Sequence, residues 1–271
     1  DDHVSCLQLS VKGDVLAGTD QGINVCSIQQ NKKLVRTIGP AQGLPDYIVT
    51  SIASAGNDRY WVGTQEKGFC LYDHVSGKIT IPAVSANWNY GQVNSILQDQ
   101  QLVWIATQDS GLLRYSIASA TIERVRLNVN DRHISCLLRD NQGNIWFRSE
   151  NGLIRTSGDI LRLMPLPGTP AFEHVHVVLS DNKGHTWFNN EQNELIKTIQ
   201  VNDNITGRKI QLPGLTEKTD ITSLYQDVNG NIWVGTMGRG IFLLSPESLA
   251  YRSFDEHPRF INASVLSING S

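Results

Sequence analysis

Apolar and polar positions alternate along this chain in short bursts that return at a near-constant interval. Ile221-Thr222-Ser223-Leu224-Tyr225-Gln226 and Ile134-Ser135-Cys136-Leu137-Leu138 are two such bursts. Period-two alternation rich in β-branched residues predicts strands. Each burst runs into a turn, as in Asp227-Val228-Asn229-Gly230-Asn231 or Asp140-Asn141-Gln142-Gly143-Asn144. Asp heads such a turn because its carboxylate accepts backbone N–H groups, and Gly or Asn takes the positive φ of a tight hairpin. A second strand then carries a tryptophan followed by small or polar residues: Trp61-Val62-Gly63-Thr64, Trp104-Ile105-Ala106-Thr107, Trp146-Phe147-Arg148-Ser149, Trp187-Phe188-Asn189-Asn190 and Trp233-Val234-Gly235-Thr236. Leu16-Ala17-Gly18-Thr19 has leucine in the tryptophan slot, and from Leu16 onward the steps are 45, 43, 42, 41 and 46 residues. A turn near Gly22, Gly68, Gly111, Gly152 or Gly240 precedes a third strand, and the fourth is the most polar, as in Thr121-Ile122-Glu123-Arg124.

Four short antiparallel strands per repeat, at a period of about 40–50 residues, predict an all-β fold: a β-propeller of four-stranded blades. First strands begin near Val4, Val49, Val93, Ile134, Val175 and Ile221, giving six complete blades. Ser264-Val265-Leu266-Ser267-Ile268 reads as the first strand of a seventh, so residues 1–271 are expected to be a single propeller domain cut from a larger ectodomain. The alternative is six blades with a short C-terminal tail. The recurring indole is expected to wedge between adjacent blades, where a large ring buries the most area.

Composition narrows the class. A net charge of -3 with 18% charged residues gives no basic footprint for nucleic acid. No run of 18 apolar residues is present, so any membrane attachment lies in segments outside these residues. The four cysteines lack metal spacing, and Cys26 and Cys70 fall out of register on neighbouring blades, so neither a disulfide nor a metal cofactor is expected. Cys6 and Cys136 share one repeat position and read as small buried hydrophobes.

Catalytic signals are weak. Ser180-Asp181-Asn182-Lys183-Gly184-His185-Thr186-Trp187 approaches the Asp-box of sialidase-type propellers but has Asn182 at the defining acid. Arg36, Arg124, Arg126, Arg162 and Arg252 fall on or beside outer strands, away from where a sialidase-like arginine cluster would sit. His174 and His176 flank Val175, with Glu173 before them, and residues two apart on a strand share a face. They could hold a metal or serve as acid and base, as in a lyase-type propeller, or form a polar patch.

Ligand chemistry is better placed. In a propeller, the loops that lead into each inner strand and those between strands two and three gather on one face. Trp88 and Tyr90, with two asparagines nearby, form either a sugar platform or a cap over the gap between blades 2 and 3. Arg132-His133 and Glu173-His174 occupy the matching loops ahead of blades 4 and 5. Arg148 and Asn189 replace the small motif residue of those blades and are expected to point to solvent, to the central channel or to a ligand.

The sixth repeat, Ile221 through Thr236 and on to Gly240-Ile241, closely resembles the two-component regulator propeller repeat, and Gly43-Leu44-Pro45-Asp46-Tyr47-Ile48-Val49 resembles the segment that introduces its blades. The resemblance implies a periplasmic ligand-sensing module of an inner-membrane receptor such as a hybrid histidine kinase, not itself an enzyme. A small molecule or oligosaccharide is the implied partner, together with a homodimer of the full-length receptor. A protein–protein scaffold and a propeller lyase or hydrolase are the alternatives.

Overall fold

A computed structural model describes residues 3–29, 32–127, 132–149, 152–157, 160–163, 178–189, 193–201, 204–212, 220–245 and 251–254. The alternating bursts are strands. Blade 1 comprises β1 (Val4–Leu9), β2 (Val15–Thr19), β3 (Gly22–Gln29) and β4 (Lys32–Ile38); blade 2 comprises β5 (Val49–Gly56), β6 (Arg59–Thr64), β7 (Phe69–Asp73) and β8 (Ile79–Thr80). Blade 3 is β9 (Val93–Asp99), β10 (Leu102–Thr107), β11 (Leu112–Ser116) and β12 (Thr121–Arg124). Blade 4 is β13 (Ile134–Arg139), β14 (Ile145–Ser149), β15 (Gly152–Ser157) and β16 (Ile160–Leu163). Blade 5 is β17 (Val178–Ser180), β18 (Thr186–Asn189), β19 (Leu195–Val201) and β20 (Asn204–Ile210); blade 6 is β21 (Ile221–Gln226), β22 (Ile232–Thr236), β23 (Ile241–Leu244) and β24 (Tyr251–Ser253).

Every sheet has its four strands in sequence order, so the fold is all-β and built of six up-and-down β-propeller blades. The strand expected at 264–268 lies outside the described residues. The chain forms two compact units, 1–137 and 138–270. The first holds blades 1 to 3 and the start of β13; the second holds the remainder.

Within each unit the indole sits between neighbouring blades. Trp61 of blade 2 packs with Val93, Ile96, Val103, Ile105 and Tyr115 of blade 3, and Trp187 of blade 5 packs with Ile221, Ile232, Val234 and Phe242 of blade 6. Trp187 is fully buried, whereas Trp233 is partly exposed and stacks on Phe254 of its own blade, centroids 5.9 Å apart. A basic side chain lies over the ring in three blades, directly across the strand pair: Arg114 on Trp104, Arg155 on Trp146 and Lys197 on Trp187.

The turn aspartates do more than organise backbone. Asp227 Oδ1 accepts from the N–H groups of Asn229 and Asn231, and its Oδ2 accepts from the indole N–H of Trp233 at 3.0 Å. Asp140 and Asp181 bind Trp146 and Trp187 in the same way, both at 2.8 Å. Blades 2 and 3 have Ala55 and Gln98 in that slot, six residues before the tryptophan. Gln98 instead accepts the indole N–H of Trp61 from the preceding blade at 2.7 Å, and the buried Trp104 N–H has no hydrogen-bond partner. The threonine that ends the motif closes the next turn: Thr19, Thr64, Thr107 and Thr236 donate to the carbonyls of Gly22, Gly68, Gly111 and Gly240. The motif glycine allows close approach of the next blade, because a Cβ on Gly63 would lie 2.4 Å from Ser51 Oγ and 2.5 Å from Val93 Cγ1.

Candidate functional site

Three repeat positions of the first unit converge on one open cavity of about 440 Å³, a volume within the range of small-molecule sites. The residue preceding each inner strand contributes His3, Ile48, Gln92 and His133. The second residue of that strand contributes Ser5, Thr50, Asn94 and Ser135, and the residue after the motif threonine contributes Asp20 and Gln65. Backbone bonds hold the two loops together at equivalent places: Gln65 N donates to Ile48 O at 3.1 Å and Gln108 N to Gln92 O at 2.9 Å. Ile48 and Val49 are the apolar part of a wall that is otherwise hydroxyl, amide, imidazole and carboxylate.

The small polar residues also tie blade to blade. Ser5 Oγ donates to Val49 O at 2.5 Å, Thr50 Oγ1 to Val93 O at 2.5 Å, and Asn94 Nδ2 to Ile134 O at 2.8 Å. Each of the first three inner strands thus donates a side-chain proton to the first carbonyl of the next. Asn94 gives another amide hydrogen to Gln108 Oε1 at 3.3 Å and accepts from Gln92 Nε2 at 3.1 Å. Asp20 Oδ1 is buried and lacks a hydrogen-bond partner.

Of the residues singled out in the sequence, His133 lines the cavity, and Arg132 beside it is exposed, its carbonyl accepting Gly111 N–H at 2.6 Å. Trp88 is seated as a cap. Its ring packs against Phe69 and Tyr90 at centroid distances of 5.8 and 5.0 Å and joins the core between blades 2 and 3. Its N–H donates to Gly91 O at 2.7 Å, and its ring atoms lie where a Cβ on Gly68 would be. Tyr90 joins the same core and stays partly exposed. Asn189, expected to face solvent, channel or ligand, is fully buried, because the motif slot it fills is enclosed; Arg148 in the same slot of blade 4 is partly buried. Both belong to the second unit. Glu173, His174 and His176 lie outside the described residues, and among the described residues no three His, Cys, Asp or Glu are grouped to hold a metal. His3, Asp20, Thr50, Gln65, Gln92 and Asn94 were missed by motif reading. The repeat register would have found them, since each occupies a slot already defined by another blade.

A second polar cluster sits at the opposite strand ends of blades 1 and 2. His74 Nε2 meets Asp14 Oδ2 at 2.9 Å, and its Nδ1 lies 3.2 Å from the Tyr72 hydroxyl, which also receives Arg36 at 3.3 Å. A hydrogen bond from Ser27 and the His74 contact hold the Asp14 carboxyl below the usual range. Nearby, Tyr60 donates to Asp58 Oδ1 at 2.6 Å; burial first and that hydrogen bond to Asp58 second push the phenol up. Burial raises the Cys6 thiol to about 11 and the Cys70 thiol to about 12, and the four cysteines form no disulfide.

Comparison with known proteins adds two local matches. The two component regulator propeller profile matches residues 128–151 and 214–238, which cover the blade 4 and blade 6 motifs. These two stretches match the two component regulator propeller repeat. No curated protein matches it in sequence. Two solved structures of the extracellular domain of BT4673 from B. thetaiotaomicron, described as a one component or a hybrid two component system, have TM-scores of 0.76. Their identities are 18% and 16%; the alignments cover 99% and 97% of this chain but 36% and 37% of theirs. The extracellular domain of the hybrid two component system BT3049 from the same organism has a TM-score of 0.69 at 14% identity, covering 93% of this chain and 35% of its own. Virginiamycin B lyase from Staphylococcus aureus has a TM-score of 0.68 at 16% identity over 91% of this chain and 82% of the enzyme. The shared property at these identities is the propeller fold. This chain spans a little over a third of the BT4673 ectodomain.

Proposed function

We propose that the regulator propeller chain is an extracytoplasmic sensor module of a membrane-bound signalling receptor, and that it takes a small polar ligand in the cavity lined by blades 1 to 3 and the start of blade 4. The observation that carries the sensor role is the regulator propeller match in two separate blades. The cavity supplies the place: the hydrogen-bonding groups that would be costly to bury unpaired are collected there, ready for a ligand's own polar groups. The loops around it, including Arg132, are the natural rim. Trp88 is not among the lining residues, and its indole edge and N–H are already engaged by protein. On this reading the chain senses and does not catalyse. Ligand biases one of two arrangements of the whole receptor, a step that requires different affinity for each.

A thermal-shift screen against oligosaccharides, amino acids and divalent ions tests the assignment. A binder should raise Tm, and Gln92→Ala should abolish the rise while leaving the unliganded Tm within about two degrees. A rise that survives Gln92→Ala moves the ligand elsewhere. The lyase alternative calls for a divalent ion; EDTA is expected to leave Tm unchanged, and a large drop would favour that alternative instead.

A further inference from the structure

The side chains that tie blade to blade in the cavity wall are biased in their hydrogen-bonding sense, and with Asp20 they point to one class of ligand. Ser5 and Thr50 each have a single hydroxyl proton, and it is directed at a backbone carbonyl: Ser5 at Val49 O and Gly18 O, Thr50 at Val93 O. Asn94 places its amide hydrogens on Ile134 O and Gln108 Oε1. The inter-blade bonds therefore use the protons, and what these side chains retain is oxygen lone pairs. Asp20 adds a carboxylate whose Oδ1 is buried without a partner, and neither Lys nor Arg is among the lining residues. A carboxylate so placed is stabilised by a cation and penalised by an anion.

Resting on the assignment of this cavity as the ligand site, we propose that it selects a compact cationic donor: a primary ammonium carried on a hydroxylated skeleton, with the ammonium held by Asp20 and the hydroxyls donating to Ser5 and Thr50. An uncharged polyol would satisfy the hydroxyl acceptors but leave Asp20 alone. An anionic sugar acid would bring a like charge to Asp20.

Three probes with one carbon skeleton separate these cases: glucamine, which is an ammonium at neutral pH, uncharged glucitol, and gluconate. Binding is read from NMR shifts of the side-chain amides of Gln65, Gln92 and Asn94, which localise it to the cavity. Glucamine is expected to bind about tenfold or more tightly than glucitol, the gain typical of a charged hydrogen bond. Gluconate should be weakest. Asp20→Asn should erase the preference, and Gln65→Glu, which adds a second carboxylate to the wall, should strengthen it. Amide shifts from glucitol or gluconate equal to those from glucamine would overturn the cationic class and leave the cavity standing as a ligand site. Glucamine binding indifferent to Asp20→Asn would overturn it too. Silence from all three probes at tens of millimolar would sink this inference and bring the cavity itself into question.

Discussion

At the scale of single residues, one carboxylate oxygen pair does two jobs in the turn of blades 4, 5 and 6. Asp181 illustrates it: Oδ1 takes the N–H groups of Lys183 and His185, and Oδ2 takes the indole N–H of Trp187. Burial alone would raise the Asp181 carboxyl, but the bonds from Trp187 and His185 outweigh it and hold the group below the usual carboxylate range; Asp227 is lowered in the same manner. A lowered folded pKa makes the stabilisation complete above the ordinary carboxylate range and removes it as pH falls through the folded value. Acid titration followed by tryptophan fluorescence should therefore show a wild-type loss of stability below that range, and Asp181→Asn should flatten it. Trp187→Ala is expected to cost about 3–5 kcal/mol in a denaturant melt. Trp233→Ala should cost less, since that ring is partly exposed. The sequence showed the aspartate and the tryptophan as separate features. Their bond was hidden because it spans six positions and two strands, a distance no local turn rule covers.

At the scale of the element, the blade was legible almost to the residue. Five of the six inner strands begin at the residues the alternation picked, since a strand half-buried between neighbours must alternate. Less legible was why the motif reads Gly-Thr. Gly63 is set by Val93 of the next blade and Thr64 by the Gly68 carbonyl, contacts that appear only when blades are stacked. Gly63→Ala forces a Cβ into Ser51 and Val93 and is expected to destabilise by about 1–3 kcal/mol, read as a fall in denaturation midpoint. Trp88 has two sequence readings at this scale, a sugar platform and a cap over the gap between blades 2 and 3. With Gly68 beneath the ring and Phe69 beside it, the ring packs as the cap would, and Trp88→Ala should lower Tm markedly.

At the scale of the molecule, repetition of one blade turns scattered polar residues of the first unit into a site. No motif links His3, Asp20, Gln65 and Asn94 in the sequence; they meet because neighbouring blades of the first unit offer equivalent positions to the same cavity. The thiols fit the proposed extracytoplasmic setting for a related reason. Burial raises Cys6 and Cys70 so far that little thiolate exists at neutral pH, which slows oxidation. Iodoacetamide applied to the native protein should spare these two, whereas labelling after denaturation should reach all four.

The short span from aspartate to indole also bears on how the chain folds. Where Asp140, Asp181 and Asp227 hold their own tryptophans, the first hairpin closes over a loop of a few residues and needs no neighbour. In blade 2 the indole waits for Gln98, 37 positions further along. Low sequence separation favours early formation, so pulse-labelled hydrogen exchange should find the first hairpins of blades 4 to 6 protected before that of blade 2.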